Sequence, residues 1–250
     1  MMKIEADLHT HTVHSGHAYS TLDEMARGAF LRGIRMIAVT DHGPKMPGGP
    51  HEYYFGNLDV IPEEIYGVRI LKGVEANILD DGRLDLPQEL LEKLDFVTAG
   101  IHSQTGHSLN SSEEYTDAVI KAVQNPAVDM ITHPVQKNYP LDLEALIKAA
   151  KKYNTILELN AGSYNKRKTF ERARKENSLK LLKLAGRYRV NLAVNSDAHF
   201  HDEVGEISSL DFLFSSDYMD EKLIINKNTE RVINFLSRKK QGLFTRKITG

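Results

Sequence analysis

The sequence predicts an α/β protein built as a parallel β/α barrel. Two observations carry that class: short apolar runs rich in β-branched residues alternate with longer helical patterns, and histidines and carboxylates recur just after those runs. The chain length of 250 residues suits one barrel, expected to span 1–250 as a single domain, since no internal repeat, low-complexity tract or long Pro/Gly/Ser linker divides it.

Seven strands are expected: Lys3 to Asp7, Met36 to Thr40, Arg69 to Val74, Phe96 to Ile101, Asp129 to Thr132, Thr155 to Leu159 and Asn191 to Asn195. Helices separate most of them. Leu22 to Arg32 follows Ser20 and Thr21, which stand three residues before Asp23 and Glu24 in the capping-box spacing, and Glu113 to Gln124 is opened by Ser111 and Ser112. Leu141 to Tyr153, Arg172 to Leu184 ended by Gly186, and Glu230 to Lys240 after Asn228 and Thr229 complete the set. The breaker-rich segment Gly43 to Pro50 cannot be helical and is either a lid over a site or a surface loop. The basic residues Lys166, Arg167, Lys168, Arg172, Arg174 and Lys175 read as a solvated helix face, with contact to an anionic substrate as the alternative.

Composition narrows the chemistry. With 32 basic against 34 acidic side chains and a net charge of −2, no positive field is available to draw duplex nucleic acid or anionic lipid. The absence of cysteine excludes disulfides, thiolate metal sites, iron–sulfur clusters and cysteine nucleophiles, so any metal falls to histidine and carboxylate ligands. The N-terminal residues lack an apolar signal region and no run of 18 apolar residues occurs, so a cytoplasmic location is expected.

Seven of the 11 histidines, with Glu75 and Asp197, fall at or just after the end of an expected strand. The segments are Asp7-Leu8-His9-Thr10-His11, leading on to His17, then Thr40-Asp41-His42, Gly73-Val74-Glu75, Gly100-Ile101-His102, Ile131-Thr132-His133 and Asn195-Ser196-Asp197-Ala198-His199. In a parallel barrel these ends share one face, so side chains distant in sequence converge. A lone histidine at a strand end is ordinarily a hydrogen-bonded structural residue; seven together point to metal binding. Period two puts Asp7, His9 and His11 on one side of the first strand, where His9 and His11 can grip an ion while Asp7 fixes an imidazole from behind. Asp197 and His199 share a side by the same rule. With Glu75 between them, the set suits Zn²⁺, Mn²⁺ or Fe²⁺. His14, His51, His107 and His201 are expected on the surface.

These residues resemble the PHP family, named for polymerase and histidinol phosphatase, and within it the YcdX-type phosphatases. The likeness runs from Asp7 to His199 and fills all nine ligand positions. It implies a distorted seven-stranded, TIM-like (β/α)7 barrel holding three divalent ions, zinc foremost, with manganese or iron as alternatives. By that likeness His9, His11, Glu75 and Asp197 hold one ion, Glu75, His102 and His133 a second, and His17, His42 and His199 a third. It also implies phosphoester hydrolysis. Paired ions bring the pKa of a bound water toward roughly 7 and clamp the attacking and leaving oxygens, so a hydroxide between metals is the expected nucleophile. Glu75, Asp197 and His199 are the catalytic candidates; the side-chain candidates for the leaving-group proton, Asp197 and His199, are metal-bound by the same likeness, which leaves a second water to supply it.

Two other readings use part of the pattern. A metal-dependent amidohydrolase also starts with His-x-His and carries a late Asp, but favours a bridging lysine where this chain has Glu75 and His102. A non-catalytic metal-binding PHP module is the other, against which the full ligand set argues. Metal-dependent nuclease activity is a third use of the same site, and the charge balance does not favour it. The expected partner is a small phosphorylated substrate, with no membrane, no nucleic acid, and a homo-oligomer left open. Lys45, Arg83 and Lys137 follow strands and are candidates for binding a phosphate or leaving group.

Overall fold

Alternating strand and helix dominate the computed structural model, which describes residues 2–164 and 173–249. The strands are β1 (Ala6–Thr10), β2 (Met36–Val39), β3 (Glu64–Ile65), β4 (Val68–Asn77), β5 (Phe96–Gly100), β6 (Met130–Ile131), β7 (Ile156–Asn160) and β8 (Leu192–Asn195). The helices are α1 (Leu22–Leu31), α2 (Glu52–Gly56), α3 (Gln88–Leu91), α4 (Ser112–Gln124), α5 (Leu143–Tyr153), α6 (Lys175–Tyr188), α7 (Asp211–Phe214) and α8 (Thr229–Thr249). Seven strands run parallel in the order β1-β2-β4-β5-β6-β7-β8, and β3 pairs antiparallel with β4. The seven parallel strands form a nearly closed TIM-like barrel.

Closure between β1 and β8 is partial. Thr10 and Ala198 form one parallel bridge, and His11 N donates to Ala198 O at 2.9 Å. Lower down, the side chain of Asn226 fills the gap: Nδ2 donates to Ala6 O (2.8 Å) and Val194 O (2.7 Å), and Oδ1 accepts from Val194 N (3.0 Å). A buried backbone group left unpaired is costly, and this amide supplies what a neighbouring strand would.

Strand alternation divides the core in two. Ala6, Leu8, Met36, Ala38, Leu71, Phe96, Met130, Ile156 and Ala193 fill the barrel interior, and Val232, Phe235 and Leu236 of α8 plug its N-terminal end. The opposite strand faces pack against the outer helices in a second, larger cluster. With one end filled by apolar side chains, polar groups on the inward faces collect at the other.

Both expected capping boxes are present, Thr21 with Glu24 on α1 and Ser111 with Glu114 on α4. The first strand lies three residues later than Lys3 to Asp7 at each end. Gly186 does not end α6, which runs on to Tyr188; Arg189, at φ 55°, takes the left-handed cap and donates its N–H to Ala185 O. The basic residues Lys166, Arg167, Lys168 and Arg172 lie outside the described residues, while Arg174 and Lys175 are exposed at the start of α6. Gly43 to Pro50 is non-helical, as expected; a Cβ at Gly43 would sit 2.3 Å from Asp85 Oδ1, so glycine lets the loop close onto that carboxylate. Among the described residues no helix is long and apolar enough to cross a membrane.

Candidate metal centre

Nine side chains meet at the C-terminal end of the barrel. His9 Nε2 lies 3.0 Å from His11 Nε2 and 3.2 Å from Glu75 Oε2. Asp197 Oδ1 is 3.3 Å from His11 Nε2 and 3.7 Å from His9 Nε2. The other Glu75 oxygen, Oε1, faces His102 Nε2 at 3.2 Å and His133 Nε2 at 3.0 Å. His42 Nδ1 lies 2.9 Å from Glu75 Oε2, and His17 Nε2 is 3.0 Å from His199 Nε2. Three overlapping groups have ligating atoms close enough for one ion each: His9, His11 and Glu75; His42, Glu75 and His102; and His11, His42 and His199. His17 joins the last through His199.

Five imidazoles have their Nδ1 tied to an acceptor, which leaves Nε2 turned to the centre. His9 Nδ1 meets the Glu158 carboxylate at 2.8 Å. Ser15 Oγ gives its proton to Asp41 Oδ1 at 2.6 Å, so it accepts from His11 Nδ1 at 3.0 Å. Asn77 Nδ2 donates to Asp85 Oδ2 (2.6 Å), turning its carbonyl oxygen to His102 Nδ1 (2.8 Å). His17 and His199 donate to the backbone oxygens of Ser15 (3.0 Å) and Asp197 (2.9 Å). A ring proton on Nδ1 puts the lone pair on Nε2, which is the tautomer a cation needs. Two pairs of Nε2 atoms 3.0 Å apart, lone pair facing lone pair, are what remains when the expected partner is an ion. The donor set, imidazole nitrogen with carboxylate oxygen and no sulfur, fits a borderline divalent metal.

Charge follows the same geometry. Burial by itself would raise the Glu75 carboxyl, but the imidazoles of His9, His102 and His42 outweigh it and hold the group well below the usual carboxylate range. Burial pushes His11 and His42 down, helped at His11 by His199 and His42 and at His42 by His102 and His17, which favours the neutral, ligating form. His9 goes the other way: burial lowers it, yet Glu158, Glu75 and Asp197 together raise it well above the ordinary imidazole value.

Backbone strain concentrates here as well. His133 (φ 30°) and Asp197 (φ 56°) adopt left-handed conformations that non-glycine residues seldom take, and each aims its side chain inward from a strand end. Gly100 sits between His133 and His102, where a Cβ would lie 2.2 Å from Thr132 Oγ1 and 3.0 Å from the His133 ring.

Asp7 does not stand behind an imidazole. Ala6 and Leu8 point into the barrel, and the pairing of β1 with β2 shifts register between Asp7 and Thr10, so Asp7 faces outward while His9 and His11 face in. Its carboxylate takes the Ser196 hydroxyl and the amides of Ser196 (3.2 Å) and Gly205 (2.8 Å). The role expected of it belongs to Glu158 on β7, fully buried, which also accepts His133 N at 2.7 Å and Asn195 Nδ2 at 2.9 Å. The available signal was a single acid inside the apolar run Ile156–Asn160, two residues from inward-facing Ile156. Of the four histidines expected on the surface, His14 and His51 are exposed and His201 bonds Ser20 Oγ (3.2 Å). His107 differs: both ring nitrogens are buried, with the Tyr115 and Tyr139 rings packed against it.

The model of the PHP domain matches residues 7–235. A probable phosphatase of Caldanaerobacter subterraneus subsp. tengcongensis is 44% identical over 244 residues, covering 96% of this chain and 94% of that protein. A probable phosphatase of Acetivibrio thermocellus is 45% identical over 241 residues, covering 96% and 98%. Among solved structures, histidinol phosphate phosphatase of Lactococcus lactis subsp. lactis, in complex with zinc, L-histidinol and phosphate, shares the fold at a TM-score of 0.56 and 16% identity, covering 95% of this chain and 94% of that one. The match over nearly the whole length, the barrel and the relatives agree: this chain belongs to the PHP domain family.

Proposed function

We propose that this phosphoric ester hydrolase cleaves a small phosphomonoester with a centre of three divalent ions, the chain working as one domain. The observation that carries the reading is the cluster of seven imidazoles and two carboxylates, most of them buried, with five rings held in the ligating tautomer. His9, His11, Glu75 and Asp197 would hold one ion, Glu75, His102 and His133 a second, and His17, His42 and His199 a third, with zinc favoured and manganese or iron also suited to the donors. When bound, such ions supply a hydroxide nucleophile near neutral pH and counter-charge for the phosphoryl oxygens.

The chain's own groups do the rest. Glu75, kept ionised by its neighbours, spans two ligand groups with its two oxygens and fixes their spacing. Glu158, Ser15 with Asp41, and Asn77 with Asp85 hold ligand rings rigid, so little reorganisation is needed as charge develops. Asp197 and His199, on the loop after β8, would be engaged as ligands, so the proton that reaches the leaving oxygen would come from a second water beside them; His199 is the less buried, at 16% against 7% side-chain exposure. The relatives named probable phosphatases, and the zinc and phosphate in the Lactococcus structure, support the same chemistry. The test is hydrolysis of an aryl phosphate by zinc- or manganese-loaded protein, abolished by chelator and restored by metal. Turnover of cyclic amides with no phosphoester hydrolysed would transfer the chain to amide chemistry.

A further inference from the structure

A cavity of about 310 Å³ lies on the loops after β2, β4 and β5, on segments that follow the candidate ligands His42, Glu75 and His102 in the chain. Its neighbourhood to the ligands is covalent and hydrogen-bonded: Lys45 is three residues past His42, and Thr105 Oγ1 donates to His102 O at 2.8 Å. Asp85, which receives the Lys45 amide at 2.9 Å, also orients Asn77 and through it His102. The wall carries two cations, Lys45 and Arg83, and two acids, Asp80 and Asp81. Both acids already accept hydrogen bonds from their own loops. Asp81 accepts from Arg83 N (3.0 Å) and Nε (2.6 Å), and Asp80 accepts the Ser108 amide (3.0 Å) and its hydroxyl. Lys45 Nζ and the terminal guanidinium nitrogens of Arg83 have no partner among the described residues. Lys137, the third cation singled out in the sequence, is not part of this wall.

We propose that this cavity receives a second anionic group of the substrate, a carboxylate or a further phosphate, held by Lys45 and Arg83 while the scissile phosphate sits at the metal centre. The inference rests on the phosphomonoesterase reading and narrows its substrate class. Free N–H donors beside acids that already accept local hydrogen bonds select an acceptor-rich ligand, and the guanidinium fork matches either oxyanion. The volume stands at the low end of ligand pockets, about 300–1,000 Å³, so the group belongs to a small metabolite and not to a polymer.

Non-hydrolysable phosphonates separate this inference from the hydrolytic one. Calorimetric titration of zinc-loaded protein should find 3-phosphonopropionate or propane-1,3-bisphosphonate binding about tenfold tighter than propylphosphonate, the size expected of a charge-assisted contact. The better of the two identifies carboxylate or phosphate. In the double variant Lys45→Met, Arg83→Met, both exposed positions, the advantage should shrink to less than about threefold, on the same reasoning. Equal affinities in the wild type, or an advantage that survives in the double variant because the ions alone chelate the second group, overturn the proposal. An advantage lost in the variant, in a protein that hydrolyses no phosphomonoester, supports this anion site and removes only the hydrolytic reading.

Discussion

Glu158 touches no substrate in this account, yet two candidate ligands depend on it, the His9 ring through Oε1 and the His133 amide through Oε2. Glu158→Gln keeps the shape and removes the charge. We expect zinc affinity to fall by roughly 10–100-fold, the usual consequence of losing a carboxylate behind a metal-bound imidazole. Competition with a chelating dye measures it, and an unchanged affinity in a folded variant would contradict the assignment. Glu158 and Asp7 also mark what a sequence can and cannot disclose. The ligand candidates were legible because each stands beside the end of an apolar run. Which carboxylate backs His9 was not, because an irregularity of one residue in β1 turns Asp7 to the outside, and a one-residue shift exchanges the faces of a strand.

Helices with enough turns to show a period were readable from caps and apolar spacing, as α1, α4 and α5 demonstrate. Elements of two to five residues, such as β3, α2, α3 and α7, carry too few positions for any periodicity and went unseen. The end of α6 was misplaced because Gly186 suggested a stop, whereas Arg189 supplies the left-handed cap. Ser111→Ala removes the acceptor for Glu114 N on α4, which carries no candidate ligand, and should cost about 1 kcal/mol. Urea denaturation reads the loss, and activity should follow the wild type; a stability change near zero would mean the cap is replaced by water.

The barrel works as a container with one sealed end. Apolar side chains and α8 fill the bottom, Asn226 spans the open edge between β1 and β8, and polar ligands are left facing the top. Asn226 had no signature in the sequence, since its role exists only once strands 188 residues apart meet at either side of it. Asn226→Ala would leave three buried backbone groups unpaired and should destabilise the fold by at least about 3 kcal/mol, at roughly 1–3 kcal/mol for each group. Thermal or urea unfolding checks this, and a loss below about 1 kcal/mol would show that the edge closes without the amide.

Glu75 is the joint on which the whole arrangement turns, because its two oxygens face different ligand groups. The most direct test is elemental analysis of metal per chain in the wild type, Glu75→Gln and His17→Ala, each loaded with zinc and freed of excess. The account predicts three equivalents in the wild type, a loss of about two in Glu75→Gln because both ions it bridges lose their shared anion, and a loss of about one in His17→Ala. A Glu75→Gln protein that keeps the wild-type metal content, or a His17→Ala protein that loses all of it, would contradict the bridged centre proposed for this barrel.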